Sequence, residues 1–398
     1  MNTKTIDDLE LRGKKVLARV DFNVPMTDDV KIADDKRIVE SLPTIRKIMD
    51  GGGIPILMSH LGRPKGGPSP EFSLKPVAEY LGTLLSTKVK FANDCIGTET
   101  KSMVDALAVG DVLMLENLRF HAEEEKNNPE FAKQLASYGD AYVNDAFGTA
   151  HRAHASTEGV TKFLKPCVAG YLMKKEIEYL AQAVGNPKRP YVAILGGAKI
   201  SGKIDVIQSL LPKVDVLVIG GGMAFTFFRA QGLEVGDSLV ESEKVSLAKQ
   251  ILEEIKSSNR RVILPIDCII ADKFENNAQR KTVPVNKMPA GWRGLDIGPE
   301  TVKLIKLEVK NAKTIVWNGP MGVFEMSNFA NGTLEIAKLL AEATKAGATT
   351  IVGGGDSAAA VAQMGFESSI SHVSTGGGAS LEFLEGKVLP GVAALDAK

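Results

Sequence analysis

The sequence has 398 residues, of which 44% are hydrophobic and 24% charged, a composition that excludes a disordered chain. Because 48 Lys and Arg residues balance 48 Asp and Glu residues, broad electrostatic attraction to nucleic acid or to an anionic membrane is excluded as the main function. At roughly 100–200 residues per domain, the length predicts two domains.

Apolar runs and amphipathic segments alternate along the whole chain. The runs lie at 15–20, 54–59, 112–115 and 141–143 in the first half, and at 191–195, 214–219, 261–264, 313–317 and 349–352 in the second. Runs without polar alternation are typical of strands covered on both faces of a parallel sheet. Between them, two helical faces are formed by Ile38, Leu42, Ile45 and Met49 and by Leu247, Ile251 and Ile255. This alternation predicts an α/β fold with two similar-sized, mainly parallel sheets flanked by helices.

A connection between the two halves is predicted at 165–190. Residues 171–184 have the pattern of a charged helix, and Gly185, Asn186 and Pro187 end it. A helical connector is semi-rigid and can serve as a hinge. We therefore predict a first domain at 1–170, an inter-domain helix at 171–185 and a second domain at 186–387.

The cysteines and the N-terminus indicate the compartment. Cys95, Cys167 and Cys268 form no CxxC pair, which argues against disulfides and a cysteine-rich zinc site and fits a reducing compartment. Residues 1–12 contain no apolar signal segment, and the longest uncharged apolar stretch, 216–228, is too short to span a bilayer. We predict a cytoplasmic protein that does not enter a membrane.

Basic and polar residues follow the predicted strands of the first half. They are Asp21 and Asn23 after the first run, His60 and Arg63 after the second, Arg119 and Arg152 after the next two, and Arg37 at the start of the first helix. The planar guanidinium binds phosphate or carboxylate through two hydrogen bonds, so several arginines at one sheet edge predict a small, multiply charged anion. Asp21 and Asn23 would bind its hydroxyl groups. His151 and His154 are three residues apart but have no third ligand, so no metal site is predicted there.

Glycine-rich loops follow the predicted strands of the second half. They begin at Gly196, Gly220, Asn318, Gly353 and Ser374. Glycine lets the backbone approach phosphate groups, and a following helix N-terminus offers free N–H groups. These loops therefore predict a nucleotide site, with Asp356 as a magnesium contact and Glu325 as an acceptor for ribose hydroxyls.

Two further patterns in these loops are weaker. Gly197 to Lys203 fits the start of a Walker A loop, but Ile204 replaces the Ser or Thr that would bind magnesium. Gly353 to Ala358 fits a relaxed dinucleotide pattern, but Asp356 within it would repel a pyrophosphate unless a cation intervened. An NAD-dependent dehydrogenase therefore remains an alternative, as does a non-catalytic, two-lobed solute-binding protein.

Motifs over nearly the whole chain resemble those of the phosphoglycerate kinases. They are RVDFNVP from Arg19, SHLGRPKG from Ser59, LENLRFHAEEEKN from Leu115, NDAFGTAHRAHAST from Asn144, GGAKISGKI from Gly196, DIGPET from Asp296, WNGPMGVFE from Trp317, GGGDS from Gly353 and STGGGASLEFLEGKVLPG from Ser374. One departure is Gly202, where the family often has a polar or acidic residue. The resemblance implies two domains across a substrate cleft, with the tail 388–398 packed on the first.

The resemblance also implies site residues. Those for 3-phosphoglycerate or 1,3-bisphosphoglycerate are Asp21, Phe22, Asn23, Arg37, His60, Leu61, Gly62, Arg63, Arg119 and Arg152. Those for ADP or ATP are Lys199, Lys203, Gly222, Gly298, Gly322, Glu325, Gly354, Gly355, Asp356 and Ser357, with Asp356 holding Mg²⁺.

The implied reaction is reversible, in-line phosphoryl transfer between 1,3-bisphosphoglycerate and ADP, giving 3-phosphoglycerate and ATP, with domain closure, in glycolysis and gluconeogenesis. The acceptor carboxylate is already ionised at neutral pH, so no general base is required, and catalysis consists of positioning and charge neutralisation. Arg37 and Lys199 are predicted to stabilise the transferred group. We expect a monomer that binds neither nucleic acid nor membrane.

Overall fold

The computed structural model describes residues 3–65, 67–258 and 260–398, which form two compact units. Unit 1 comprises Met1–Glu178 and Val388–Lys398, and unit 2 comprises Tyr179–Lys387. The division falls within one continuous helix, Tyr171–Gly185. No helix of the described residues is long and apolar enough to cross a membrane.

Unit 1 is built on a six-stranded parallel sheet. Its strands are β1 (Lys15–Arg19), β2 (Ile54–Met58), β3 (Val89–Phe91), β4 (Val112–Met114), β5 (Ala141–Asn144) and β6 (Cys167–Ala169), in the spatial order β3-β4-β2-β1-β5-β6. Its helices are α1 (Lys36–Asp50), α2 (Lys75–Leu85), α3 (Thr98–Asp105), α4 (Ala122–Glu125), α5 (Pro129–Ala136) and the start of α6 (Tyr171–Gly185). The order places β1 and β2 in the middle of the sheet, where every residue from Val16 to Arg19 and from Ile54 to Met58 is buried. Burial on both faces explains why these strands lack polar alternation.

The helices of unit 1 cover this sheet with one apolar face each. In α1 the residues Ile38, Leu42, Ile45 and Ile48 are buried, at the three- and four-residue spacing of a helix face. They pack in one core with Val16 and Leu57 of the central strands.

Unit 2 contains a second six-stranded parallel sheet. Its strands are β7 (Tyr191–Leu195), β8 (Val216–Ile219), β9 (Arg261–Ile263), β13 (Thr314–Asn318), β14 (Thr349–Gly353) and β15 (His372–Val373), in the order β15-β14-β13-β7-β8-β9. Between β9 and β13 the chain forms a separate antiparallel sheet of β10 (Asp267–Ala271), β11 (Arg280–Pro284) and β12 (Arg293–Ile297), in the order β11-β10-β12. The sequence patterns did not predict this antiparallel sheet.

The helices of unit 2 are α7 (Ile204–Leu210), α8 (Ala224–Ala230), α9 (Val245–Ser257), α10 (Pro299–Val309), α11 (Asn331–Lys345), α12 (Gly355–Gln363) and α13 (Gly378–Leu384). Trp317 of the central strand β13 is fully buried in the main core of this unit. The chain then ends in unit 1 with α14 (Pro390–Ala393). The observed architecture is the predicted one: two α/β domains, each with a mainly parallel sheet and flanking helices.

Candidate functional site

The basic residues predicted in the first half lie at one edge of the unit 1 sheet. The segments that contain Asp21, His60 and Arg152 follow β1, β2 and β5, and Arg119 lies in a 3₁₀ turn, Leu118–Phe120, after β4. Because the strands are parallel, their carboxyl ends share an edge, where ligands of such sheets bind.

Asp21 contacts two of the other predicted residues, Arg37 and His60. Its Oδ2 accepts a hydrogen bond from Nη1 of Arg37 at 2.9 Å, and its Oδ1 lies 4.0 Å from Nδ1 of His60. The Asp21 side chain is 7% exposed and that of Arg37 is 33% exposed. Arg37 is therefore held from below by a carboxylate while part of its guanidinium stays open to a ligand.

Arg19, inside strand β1, fixes the orientation of His60. Nη2 of Arg19 lies 3.0 Å from Nδ1 of His60, and both residues are buried. Arginine only donates hydrogen bonds, so Nδ1 must accept and the ring proton must be on Nε2. Burial first, and then the charges of Arg19, Arg119 and Arg37, hold the pKa of His60 well below its usual value. His60 is therefore a neutral ring with an Nε2–H donor, and the positive charge of the site comes from arginines.

A second set of contacts holds the loop after β2. The backbone N–H of Gly62 donates to Oδ1 of Asn23 at 2.8 Å, and Nη1 of Arg119 donates to the carbonyl oxygen of Gly62, also at 2.8 Å. Gly62 has a φ of +61°, and a Cβ atom there would lie 2.4 Å from the ring of Phe72. The turn therefore requires glycine, and it brings Asn23, Gly62 and Arg119 together.

Other predicted substrate residues contribute less directly. The side chains of Phe22 and Leu61 are buried, so these residues offer backbone groups, and the N–H of Phe22 already donates to Oγ of Ser59 at 2.9 Å. Arg63 is exposed, and Nε of the half-buried Arg152 donates to Nε2 of His151 at 3.1 Å. Arg63 thus lies outside the tightly bonded group around Asp21 and His60.

A buried polar network beneath this edge was missed by the sequence reasoning. Nε of Arg19 donates to Oγ of Ser156 at 2.9 Å, and that hydroxyl donates to Oε1 of Glu124 at 2.6 Å. Nδ1 of His154 lies 3.8 Å from the same oxygen. Burial together with Arg19, Arg119 and Arg152 lowers the pKa of His154 to about 4. The one signal in the sequence was a charged residue, Arg19, after three apolar residues of the run 15–20.

Unit 2 contains a cavity of about 680 Å³, a volume in the usual range for small-molecule sites. Four predicted nucleotide residues, Gly222, Gly322, Glu325 and Asp356, line it. The other predicted residues, Lys199, Lys203, Gly298, Gly354, Gly355 and Ser357, do not belong to the described lining.

One wall of the cavity is apolar and comes largely from elements that the sequence reasoning did not use. Phe225 and Phe228 of α8 meet edge to face, with ring centroids 5.6 Å apart, and Leu295 of β12 lies on the same lining. Apolar and aromatic walls with a few polar groups are typical of sites for flat organic ligands. Asp296, beside Leu295, is buried, and burial raises its pKa to about 7.

Several glycines at this cavity serve close packing of three loops. The N–H of Gly197 donates to the carbonyl oxygen of Pro320 at 2.8 Å, and the N–H of Met223 donates to that of Gly197 at 3.0 Å. A Cβ atom on Gly319 would lie 2.1 Å from the carbonyl oxygen of Gly196. These glycines are therefore required for contact between loops, a role that the prediction did not include.

Lys203 lies at the start of α7, beside strand β13. Its Nζ donates to Oδ1 of Asn318, whose Nδ2 is buried without a hydrogen-bond partner among the described residues. Burial lowers the pKa of Lys203 to about 8, an effect that Asp356 and Glu385 oppose. A Cβ atom on Gly354 would lie 3.0 Å from that Nδ2. A lysine and an unpaired amide donor thus lie next to the glycine loop that precedes α12.

Lys199 occupies an exposed turn that unit 2 holds from one side. Oε2 and Oε1 of Glu241 accept hydrogen bonds from the N–H and the hydroxyl of Ser201, at 3.0 and 2.6 Å. Burial raises the pKa of Glu241, but these hydrogen bonds and the charge of Lys199 outweigh it. The pKa of Glu241 therefore lies below its usual value. The lysine is therefore available to a ligand on a turn that is anchored two residues away.

The predicted segment Gly354–Ser357 forms the start of α12. Asp356 is exposed in the first turn, and Gly354 has a φ of +90°. The hydroxyl of Ser357 is buried and accepts a hydrogen bond from the N–H of Gly319 at 2.6 Å. Asp356 is therefore accessible from the cavity, whereas the Ser357 side chain is used in the fold.

Gly298 packs against the side chain of Asp267, a contact that the prediction did not include. It is the residue before α10, and a Cβ atom there would lie 2.2 Å from the Asp267 carboxyl carbon. That carboxylate accepts hydrogen bonds from the N–H groups of Glu300 and Thr301 at 3.0 and 2.8 Å. Gly298 makes room for this helix cap, while Gly294 is the glycine of the same stretch on the cavity lining.

Comparison with known proteins adds family information to this geometry. The sequence model of the family described as "Phosphoglycerate kinase" matches residues 6–387. Phosphoglycerate kinases of Chloroherpeton thalassium and Chlorobaculum tepidum are 61% identical over 395 residues and 60% identical over 396 residues, with at least 99% of each chain covered. The structure of phosphoglycerate kinase from Coxiella burnetii matches with a TM-score of 0.90 at 42% identity, and that from Pyrococcus horikoshii with 0.86 at 34% identity, each covering 98% of both chains.

Proposed function

Because the chain belongs to the phosphoglycerate kinase family, we propose that the basic edge of unit 1 binds the phosphoglycerate and that the cavity of unit 2 binds the nucleotide. The enzyme transfers a phosphoryl group reversibly between 1,3-bisphosphoglycerate and ADP, giving 3-phosphoglycerate and ATP, a step of glycolysis and gluconeogenesis. Neither a dehydrogenase nor a solute-binding protein is supported by the relatives.

The observation that carries the unit 1 assignment is the group formed by Arg37, Asp21, His60 and Arg119. Its cationic side chains, Arg37 and Arg119, are charged at any physiological pH, and its histidine is neutral. Such a set suits an anion with two acidic ends, one of which is a phosphate. Asn23 and the Nε2–H of His60 then serve the hydroxyl and carboxylate of glycerate.

The unit 2 assignment rests on the combination of an apolar wall and polar loops. The aromatic wall of Phe225 and Phe228 suits a base, and Glu325 suits ribose hydroxyls. Lys203, Lys199 and the first turn of α12 suit phosphate oxygens, because a helix N-terminus favours negative charge.

Magnesium is assigned to Asp356. Mg²⁺ prefers oxygen ligands and is commonly held by one or two carboxylates plus substrate phosphates. Asp356 provides an exposed carboxylate at the cavity, beside the turn that would meet those phosphates, so the residues present fit this ion. When bound, Mg²⁺ neutralises phosphate charge.

Catalysis needs little proton chemistry. The acceptor in the ATP-consuming direction is a carboxylate, which is ionised at neutral pH, so no base has to deprotonate it. The neutral state of His60 agrees with this, because the ring is used as a hydrogen-bond donor rather than as a proton acceptor. Arg37 and Lys199 stabilise the charge on the transferred group.

Replacement of Arg37 by Ala tests this assignment. We expect kcat to fall by about 10²–10³-fold, the effect of losing one donor to developing charge, while loss of the partly exposed pair with Asp21 costs at most about 1 kcal/mol of stability. The assay follows ATP consumption with 3-phosphoglycerate and magnesium, coupled to NADH oxidation. Arg46→Ala, in the same helix, is the control and should retain the kcat of the parent enzyme.

The Lys199→Ala variant separates the catalytic role of Lys199 from nucleotide binding by unit 2. We expect a similar loss of kcat, with MgADP still raising the melting temperature through the remaining nucleotide contacts. Near-normal turnover in the Arg37 or the Lys199 variant would contradict the corresponding role. No melting-temperature shift with MgADP in the parent enzyme would contradict the assignment of the unit 2 cavity.

The same proposal covers partners and location. We infer a monomer, as the family resemblance implies. The zero net charge supports work without nucleic acid or membrane, and the three free, buried cysteines support the cytoplasm. Analytical ultracentrifugation at micromolar concentration tests the monomer.

A further inference from the structure

We infer that Asp94, Cys95 and His121 form a binding site for a single transition-metal ion of the Zn²⁺ class, at a place in unit 1 that phosphoryl transfer does not use. The ligand atoms of the three side chains all lie within 4.8 Å of one another. They come from two separate segments, the loop after β3 and the junction between the turn Leu118–Phe120 and α4. The cluster therefore exists only in the folded chain.

The donor set selects the ion. A thiolate, an imidazole and a carboxylate are the ligands that Zn²⁺ takes, usually in a tetrahedral arrangement, and three protein ligands leave the fourth position to water. Magnesium and calcium prefer oxygen ligands only, so a cysteine in the cluster argues against them. The nucleotide-associated Mg²⁺ of unit 2 and this ion would thus not compete for one site.

The present geometry is close to that of a metal site but not identical to it. Nε2 of His121 lies 2.6 Å from Oδ1 of Asp94, which is a hydrogen bond and closer than two ligands of one Zn²⁺ ion would be. The Asp94 and His121 side chains are 52% and 26% exposed, so both can separate to admit an ion from solvent. Cys95 is fully buried, so its ligand atom lies at the inner end of the site.

The thiol proton must leave when the ion binds. Burial and the nearby carboxylates of Asp94 and Glu124 raise the pKa of Cys95 well above its usual value. Zinc replaces the proton on sulfur, one S–H bond is exchanged for one S–Zn bond, and the proton goes to the buffer. The two positive charges of the ion would stabilise the thiolate against its burial and against the neighbouring carboxylates.

Titration of the full-length enzyme with Co²⁺, in the presence of excess Mg²⁺, tests the site. A thiolate bound to Co²⁺ gives a charge-transfer band in the near ultraviolet, which oxygen and nitrogen ligands alone do not give. We expect this band in the parent enzyme, its loss in Cys95→Ser and its displacement by one equivalent of Zn²⁺. Cys167→Ser, which changes another buried free cysteine of unit 1, is the matched control and should keep the band.

Variants of the two partly exposed ligands, Asp94 and His121, test the site even if Cys95→Ser fails to fold. In His121→Gln and Asp94→Asn we expect Co²⁺ affinity to fall by at least about 100-fold, more than loss of an outer contact costs. Absence of the band in the parent enzyme, its persistence in Cys95→Ser, or unchanged affinity in both exposed variants would overturn the site.

Discussion

Arg19 and Glu124 carry opposite charges beneath the basic edge of unit 1, and each is only 1% exposed. The Ser156 hydroxyl lies between them and hydrogen-bonds to both. Glu124→Gln keeps the shape but leaves Arg19 buried without a counter-charge, so we expect the free energy of unfolding to fall by about 3–5 kcal/mol. Urea denaturation followed by circular dichroism measures the change.

The neighbouring exposed residue provides the control for this prediction. Glu123→Gln should change the free energy of unfolding by less than about 0.5 kcal/mol, because Glu123 is exposed. In the double variant Arg19→Met, Glu124→Gln, the loss should be smaller than the sum of the two single losses, since the two charges interact. Additive losses would show that Ser156 does not couple them.

His154 makes the stability of unit 1 depend on pH. Its pKa is about 4 in the folded chain, because of burial and three arginines, and about 6.5 when unfolded. Between these values the unfolded state binds more protons, so the free energy of unfolding rises with pH. Acidification from pH 6.5 to 4 therefore removes stability, and this residue adds no further loss below pH 4.

His154→Gln should remove this contribution. We expect the variant to lose about 2–3 kcal/mol less than the parent enzyme between pH 6.5 and 4, which corresponds to the shift in pKa. Subtracting the two pH curves cancels the titration of other groups. Parallel curves for the two proteins would mean that His154 titrates near its ordinary pKa when folded.

Single residues were predictable where the chain topology forces them together. The arginines and Asp21 follow parallel strands, so their common edge could be deduced without coordinates. Glu124 and Ser156 could not be found this way, because they meet Arg19 only through the packing of a short helix against the sheet. The Asp94–His121 contact likewise joins two loops whose spacing carries no motif.

At the scale of elements, the loops of unit 2 pack backbone against backbone. A substitution at Gly319 measures how little space this packing leaves for a side chain. It has a φ of +94°, and a Cβ atom would lie 2.1 Å from the carbonyl oxygen of Gly196. Gly347 has a similar φ of +90° but open space around it. Gly347→Ala should cost only the left-handed backbone strain, about 1–2 kcal/mol. Gly319→Ala should cost about 1–3 kcal/mol more, because the Gly196 loop must move.

Calorimetry of both variants measures the loss of stability, and MgADP binding is measured alongside. Together they distinguish backbone strain from the steric clash between the two loops. We expect weaker MgADP binding only in Gly319→Ala, since the displaced residues 196–197 lead directly into the turn of Lys199. Equal destabilisation of the two variants would contradict a close approach of the loops.

The central strands of both sheets were the elements that the sequence predicted most directly. The central strands β1, β2, β7 and β13 consist almost entirely of buried residues and appear as apolar runs. Strand β11 alternates little and is mostly exposed, and the edge strand β15 has two residues, so neither leaves an apolar run. The antiparallel sheet was missed even though its central strand β10 is mostly buried and β12 contributes Leu295 to the cavity of unit 2.

At the scale of the whole molecule, the chain folds into two units that are not both continuous in sequence. Residues 388–398 return to unit 1 after 209 residues of unit 2, from Tyr179 to Lys387. The N–H of Lys4 donates to the carbonyl oxygen of Asp396, and the N–H of Cys167 donates to its Oδ2, both at 2.8 Å. Composition alone gives no sign of this return, because the tail is a short, ordinary mixture of small and apolar residues; the expectation that it packs on the first domain came from the family resemblance.

Removal of residues 388–398 should therefore destabilise unit 1 selectively. Leu389, Val392 and Leu395 are at most 8% exposed, and burial of each such side chain contributes about 1.5–3 kcal/mol. Lys4 and Cys167 lose the acceptors of their N–H groups, so hydrogen exchange should accelerate there first, while strand β13 keeps its protection. Asp396→Ala, which retains the backbone carbonyl acceptor of Lys4 but removes the carboxylate that accepts from Cys167, should accelerate exchange at Cys167 alone. Equal acceleration in both units of the truncated chain would mean that the two cores unfold as one, and that the tail stabilises the molecule as a whole rather than the unit on which it packs.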